Sequence, residues 1–174
     1  DTFNGTFAGA FLDKNVGTGK TVTITPSYSG ADVSNYSVTD QSSTTANITA
    51  KALTVSGITA SNKTYDGSTS ATLDSSSVLY NGLVSGDTFT GSYTGAFSNA
   101  NVGTAKTVTI TPSYTGADVS NYDITDQTST TADISAKALT AIASVSNKTY
   151  DATNSAAATL SISGLVGSET LSAT

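Results

Sequence analysis

The sequence predicts an all-β protein made of tandem repeats of one sandwich-like unit. It does so through three features: alternation of apolar and polar residues, closely spaced turn signals, and internal self-similarity. Laid over itself with an offset of 86 residues, Asp1 to Thr54 matches Asp87 to Thr140 at 40 of 54 positions. Most differences are mild, such as Phe7/Tyr93, Val38/Ile124 and Asn47/Asp133. The register continues with small gaps, SNKTYDG at Ser61 to Gly67 returning as SNKTYDA at Ser146 to Ala152. Likewise GLVSGDTF at Gly82 to Phe89 returns as GLVGSETL at Gly164 to Leu171. The chain therefore holds about two periods of one unit of about 86 residues.

The alternation has period two, which is the signature of strands with one face in a core and one in water. In KTVTITPSY, Val22, Ile24 and Tyr28 share one face and Thr21, Thr23 and Thr25 the other, and Lys106 to Tyr114 repeats this. In DTFTGSYTGAF, Phe89, Gly91, Tyr93, Gly95 and Phe97 share a face opposite Thr88, Thr90, Ser92 and Thr94. Ala46, Ile48 and Ala50 carry the pattern on, then Lys51-Ala52 shifts the phase and Leu53 and Val55 take the apolar role. Turn signals at Tyr65-Asp66-Gly67, Asn81-Gly82, Ser85-Gly86-Asp87 and Ser29-Gly30-Ala31-Asp32 separate six or seven short strands per unit, at sandwich spacing. Asp32 stands four residues before Tyr36, and Asp118 four before Tyr122. That spacing matches a tyrosine corner, in which a tyrosine hydroxyl bonds upstream backbone at a Greek-key crossing, so the predicted unit is an immunoglobulin-like β-sandwich.

Composition removes many kinds of chemistry. The 174 residues contain 13 acidic side chains and 7 lysines, with no arginine, histidine, cysteine, methionine or tryptophan. Disulfides, Cys/His zinc sites, haem or iron–sulfur ligation and His-based nucleophilic triads are therefore excluded. A net charge of −6 with seven scattered lysines gives nucleic acid no basic stripe to bind, so no nucleic-acid partner is expected. No apolar run approaches the roughly 20 residues of a membrane span. No charged start followed by an apolar stretch resembles a signal peptide, so a soluble chain with a cut N-terminus is expected.

The ordered words KALT, NKTYDG, GLVSGD, a Gly/aromatic strand, NVGT-KTVTIT, SGAD-SNY and TADISAKALT resemble the YDG repeat. That repeat is a relative of the MBG repeats of large bacterial surface proteins, among them filamentous-haemagglutinin-like adhesins. The resemblance covers essentially the whole chain. It implies an extracellular, bacterial cell-surface, tandemly repeated β-module with no catalytic residues to carry over. It also sets the unit boundary at KALT, giving residues 1–50 as the back part of a unit, 51–136 as a complete unit and 137–174 as the front part of the next. Lys51-Ala52 and Lys137-Ala138 are then the junctions. The second copy departs from the motif at Tyr150-Asp151-Ala152, where alanine replaces glycine in a turn that favours glycine if φ is positive.

The expected role is structural: a stalk or fibre segment, not an enzyme, with Tyr36, Tyr122, Tyr65 and Tyr150 pinning turns and crossings beside Asp32, Asp118, Asp66 and Asp151. Its partners are other copies of the repeat, in cis or head to tail in trans. One alternative is a self-polymerising subunit in which 137–174 completes 1–50 of a neighbour by strand addition. Another is a carbohydrate-binding module using the Thr/Ser faces on surface glycans, although threonine is the ordinary wet-face strand residue. No cofactor is expected. Calcium is the one candidate metal, through Asp32, Asp40, Asp66, Asp74, Asp118 and Asp126, but these lack a clustered ligand pattern and fit turn capping better. A Lys63–Asn62 cross-link is disfavoured because neighbours along a strand point to opposite faces. A glycosidase-like carboxylate pair is disfavoured because Glu169 is the only glutamate.

Overall fold

The computed structural model describes Asp1 to Leu171, so Ser172 to Thr174, the last residues of the front segment of the third unit, lie outside the described residues. The described residues are all-β apart from two 3-10 turns. The back segment, residues 1–50, forms β1 (Asn4–Phe11), β2 (Gly17–Ser29) and β3 (Ser43–Ile48). The complete repeat forms β4 (Lys51–Ser56), β5 (Thr59–Ala60), β6 (Lys63–Thr64), β7 (Ser70–Ala71) and β8 (Leu73–Asp74). It continues as β9 (Leu79–Asn81), β10 (Thr90–Phe97), β11 (Gly103–Thr115), β12 (Tyr122–Thr125) and β13 (Ser129–Ser135). The front segment of the third unit forms β14 (Thr140–Val145) and β15 (Ala158–Ser163). The front half of the complete repeat is more broken than six or seven strands imply: β5 to β8 are two-residue pieces between Asp, Ser and Gly turns.

The contacts divide the chain into two compact bodies. The first holds Asp1–Val55, Leu79–Gly91 and Ser113–Asp126; the second holds Ser56–Val78, Ser92–Pro112 and the chain from Gln127 onward. In the first body, β1, β2 and β3 make an antiparallel sheet and β12, β4 and β9 a second sheet. There β12 runs parallel to β4, with Tyr122 opposite Lys51 and Thr125 opposite Thr54. The phase shift read at Lys51-Ala52 is visible here, since Leu53 and Val55 are buried while Lys51, Ala52 and Thr54 are exposed.

In the second body, β13 pairs antiparallel with β11 and parallel with β6 (Ile134 opposite Lys63, Ser135 opposite Thr64), in a sheet of order β6-β13-β11-β10-β7. Phe97, Val108, Ala132 and Ile134 form its core, with Ala60, Tyr65, Ala71 and Leu73 of the front segment packed against them. Thr107, Thr109 and Thr111 face water between Val108 and Ile110, as the alternation requires. Hairpin β14–β15 is antiparallel, Thr140 lying opposite Ser163.

Two backbone positions show what the alternation hides. β2 and β11 carry the same bulge after Gly17 and Gly103. Gly19 takes φ 60 there and Ala105 takes φ 48; the Ala105 N–H donates to Asp133 Oδ1 at 2.7 Å and the Gly19 N–H to Asn47 Oδ1 at 2.8 Å. Gly95 serves close approach: a Cβ there would lie 2.7 Å from Leu73 Cδ2.

Two outcomes are expected on thermal melting. Ala105→Gly relieves left-handed strain and raises stability by roughly 0.5–1 kcal/mol. Gly95→Ala drives a methyl group into Leu73 and costs about 1–3 kcal/mol.

Candidate functional site at the repeat junction

The residues of greatest functional interest lie in the first body, where the back segment meets the repeat that begins at Lys51. The backbone comes first. The 3-10 turn Val119–Asn121 is entered at Asp118 (φ −102, ψ 1) and left at Tyr122, which opens β12. The Asp118 N–H donates to Thr88 O (3.3 Å), and the Asp118 carboxylate accepts from the Thr88 N–H (2.8 Å). Asp118 therefore clips the turn to the start of the Gly/aromatic strand. The Tyr122 hydroxyl accepts from the Val84 N–H (2.9 Å) and donates to Asp87 Oδ2 (2.6 Å). The tyrosine thus reaches upstream backbone, but in the GLVSGD loop. Its ring packs on Phe89 at 5.9 Å, and Phe89 in turn touches Tyr80 and Tyr114.

Lys14 joins this cluster from the preceding unit. Its Nζ lies 2.9 Å from Asp87 Oδ1 and 2.9 Å from Asp118 Oδ1. The two carboxylates are nearly shielded from water at 11% and 10% exposure, while Lys14 is 67% exposed. Beside it the Val16 N–H donates to Asn121 Oδ1 (2.9 Å), and Asn121 Nδ2 donates to Asn15 Oδ1 (3.2 Å). One unit thus offers a cation and a backbone N–H, and the next answers with two carboxylates and an amide. The Tyr122 hydroxyl and the Lys14 ammonium hold Asp87 below its ordinary value, while Lys14 and the Thr88 N–H do the same for Asp118. The two carboxylates raise Lys14, and burial followed by the Asp87 carboxylate raises Tyr122.

The other predicted positions fall elsewhere. Tyr36 and Asp32 occupy the equivalent turn of the back segment: the Tyr36 hydroxyl donates to Asp1 and the Asp32 carboxylate accepts from the Thr2 N–H. Asp66 sits in the loop after β6, where Lys63 Nζ binds its Oδ1 (2.7 Å) together with Ser68 O (2.8 Å) and Ser70 O (3.1 Å). Lys63 and the Ser68 N–H lower Asp66 to about 2. Asp151 has the same lysine clasp, from Lys148 at 2.8 Å, and Ala152 takes φ 59 in that turn. Asn62 is directed away from Lys63, accepting the Asp133 N–H at 2.7 Å. Tyr65 donates to Glu169, and that carboxylate raises the tyrosine's pKa; Tyr150 is 91% exposed. Lys51 and Ala52 open β4, while Lys137 and Ala138 are exposed ahead of β14. Among the described residues no three acidic side chains gather as a metal site would need; Asp40 and Asp126 accept from Tyr28 and Tyr114.

Sequence reasoning missed Lys14, Asn15 and Asn121, and saw Asp87 only as a turn residue. A signal for Lys14 was present, since its counterpart 86 residues on is Ala100, so a charge appears in one copy alone. It also missed Gln127, whose side-chain amide accepts the Ile58 N–H (2.9 Å) and donates to Ile58 O (2.7 Å).

The junction's response to pH follows from these partners. Asp87 and Asp118 lie below 3.8 when folded, so their stabilisation is complete above that value and is lost as pH falls through the lowered values. Lys14 lies above 10.5 when folded, so its share is complete below that value and is lost only in strong base. The melting temperature should be level between about pH 5 and 9 and fall below about pH 4. Lys14→Ala should lower the level stretch and make the acid fall shallower, and added salt should narrow the gap between variant and parent. Calorimetry across pH and ionic strength checks this.

A family model described as the YDG domain matches residues 1–46 and 49–131, well over half of the chain. No curated protein and no solved structure matches it. The two matched stretches meet just ahead of Lys51, where the phase of the alternation shifts and β4 begins. The chain belongs to the YDG domain family.

Proposed function

We propose that this chain is a non-catalytic stalk or fibre segment of a bacterial extracellular adhesin or surface filament, whose repeats carry tension along the chain. One observation carries the reading: the first strand of the complete repeat, β4, runs parallel to β12 near its end, in register from Lys51–Tyr122 to Thr54–Thr125. Tension that enters at the N-terminal end of β4 and leaves past the C-terminal end of β12 slides the two strands along each other. All the bonds of such a ladder resist together. β6 and β13 repeat the arrangement at Ile134–Lys63. Leu53, fully buried, anchors β4 against that sliding.

Membership of the YDG family and the side-chain inventory support the surface location. A chain without Cys, Met, Trp or His offers little to oxidants and has no imidazole to switch charge near neutrality.

Single-molecule pulling through the chain ends tests the reading, because the molecule contains its own control. Hairpin β14–β15 has its outer ends paired, Thr140 with Ser163, so tension opens it one bond at a time. The expected trace has an early low-force event from the hairpin and a later high-force event that releases the repeat as one unit. Leu53→Ala should lower the second event alone and cost about 2–5 kcal/mol at equilibrium. A repeat that yields at the hairpin's force would overturn the mechanical reading, most decisively if the chain also bound glycans tightly.

A further inference from the structure

Five triplets of the form Asn-x-Ser/Thr occur in the chain, beginning at Asn4, Asn35, Asn47, Asn62 and Asn147. This is the pattern that transfer of a sugar to an asparagine amide requires. The repeat does not keep the first three: 86 residues on stand Thr90, Asn121 followed by Asp123, and Asp133. It does keep the fourth. Asn62-Lys63-Thr64 returns as Asn147-Lys148-Thr149 inside the same SNKTYD word.

The fold presents this triplet outward. Lys63 and Thr64 form β6, the edge strand of the sheet β6-β13-β11-β10-β7. Side chains alternate along a strand, and the middle residue takes the inner side. Lys63 Nζ lies 5.5 Å from the centre of the Phe97 ring and closes the loop onto Asp66, so Asn62 and Thr64 are left exposed. The two ends of the Asn62 amide have different tasks. Oδ1 accepts the Asp133 N–H at 2.7 Å, which fixes the side chain against β13, while Nδ2 donates no hydrogen bond among the described residues. That contact does not need an amide, because a carboxylate oxygen also accepts a backbone N–H. In the bulge, Asp133 does for Ala105 what Asn47 does for Gly19. Position 62 and its repeat nevertheless both hold the amide.

We propose that Asn62 is an acceptor site for an N-linked sugar, recurring in the next unit at Asn147. The donor is a sugar activated as its diphosphate ester. In the transfer Nδ2 bonds to C1 of the sugar, the bond from C1 to the diphosphate breaks, the diphosphate leaves with the electron pair, and the amide gives up one proton. A sugar on Asn62 stands at the edge of the sheet, where it hinders another chain from pairing with β6. The site is independent of any mechanical role.

Two transfer reactions on the intact, folded chain test it, one with UDP-glucose and a soluble asparagine glucosyltransferase, the other with a polyprenyl-diphosphate oligosaccharide and its membrane transferase. Peptide mass mapping should find sugar on Asn62 and Asn147 in at least one arm, and the arm that works names the donor. Thr64→Ala should remove the sugar from Asn62 and leave Asn147 modified, while Thr64→Ser should retain both. Asn62→Asp keeps an oxygen for the Asp133 N–H, so it should fold as the parent does and carry no sugar at position 62. A folded chain bare at Asn62 in both arms, sugar there only after denaturation, or modification indifferent to Thr64→Ala would overturn the proposal.

Discussion

The YDG repeat depends on the front segment lying over the inner face of its three long strands. Local geometry does not need that cover: Asp32 has φ −103 and ψ 5 where Asp118 has −102 and 1, and the strand pairings and bulge are shared. Burial does need it. Tyr122 is 8% exposed and Tyr36 50%; Phe97 is 3% exposed and Phe11 38%. Identical residues in identical turns end in different environments because Leu53, Val55 and the segment up to Leu73 are present in one case only. The short-range sequence sets the backbone, and the hydrophobic gain arrives with a segment supplied from earlier in the unit.

This division explains how much could be read in advance. Alternation along Thr90–Phe97 and Gly103–Thr115, and the phase shift at Lys51, were legible because period two reports directly on which face meets a core. The breakage of the front half into β5 to β8 was not, because a two-residue strand holds one period at most and cannot show a repeat of it. Parallel pairing of β4 with β12 and of β6 with β13 joins segments far apart in the chain, and alternation carries no mark of direction. At the junction, the aspartate and tyrosine of the SGADVSNY turn were legible as a pair, but their partners were not: Asp118 meets Thr88 and Lys14, and Tyr122 meets Val84 and Asp87. Lys14 is distant in sequence and belongs to no motif, so only the contrast with Ala100 pointed to it.

With no cysteine for disulfides, the repeat uses two kinds of carboxylate clasp more than once. Tyrosine hydroxyls meet carboxylates in Tyr28–Asp40 and Tyr114–Asp126, twelve residues apart in each copy. Lysine closes the YDG loop in both Lys63–Asp66 and Lys148–Asp151. Bonds to a charged partner are stronger than neutral ones. The carboxylates of Asp66 and Asp151 are lowered and remain ionised through neutral pH, so the two lysine clasps are constant there.

Repetition does not make the junctions alike. At the first, Lys14 spans Asp87 and Asp118. One unit further on, Lys14 is replaced by Ala100 and Asp87 by Glu169, and Glu169 accepts from Tyr65. Asp87 thus answers both an ammonium and the Tyr122 phenol, whereas Glu169 answers the Tyr65 phenol. The scaffold therefore tolerates drift where units join more readily than where they pack: Phe97, Val108, Ala132 and Ile134 match Phe11, Val22, Ala46 and Ile48 residue for residue. Two junctions with different charge partners are free to differ in strength and in sensitivity to salt.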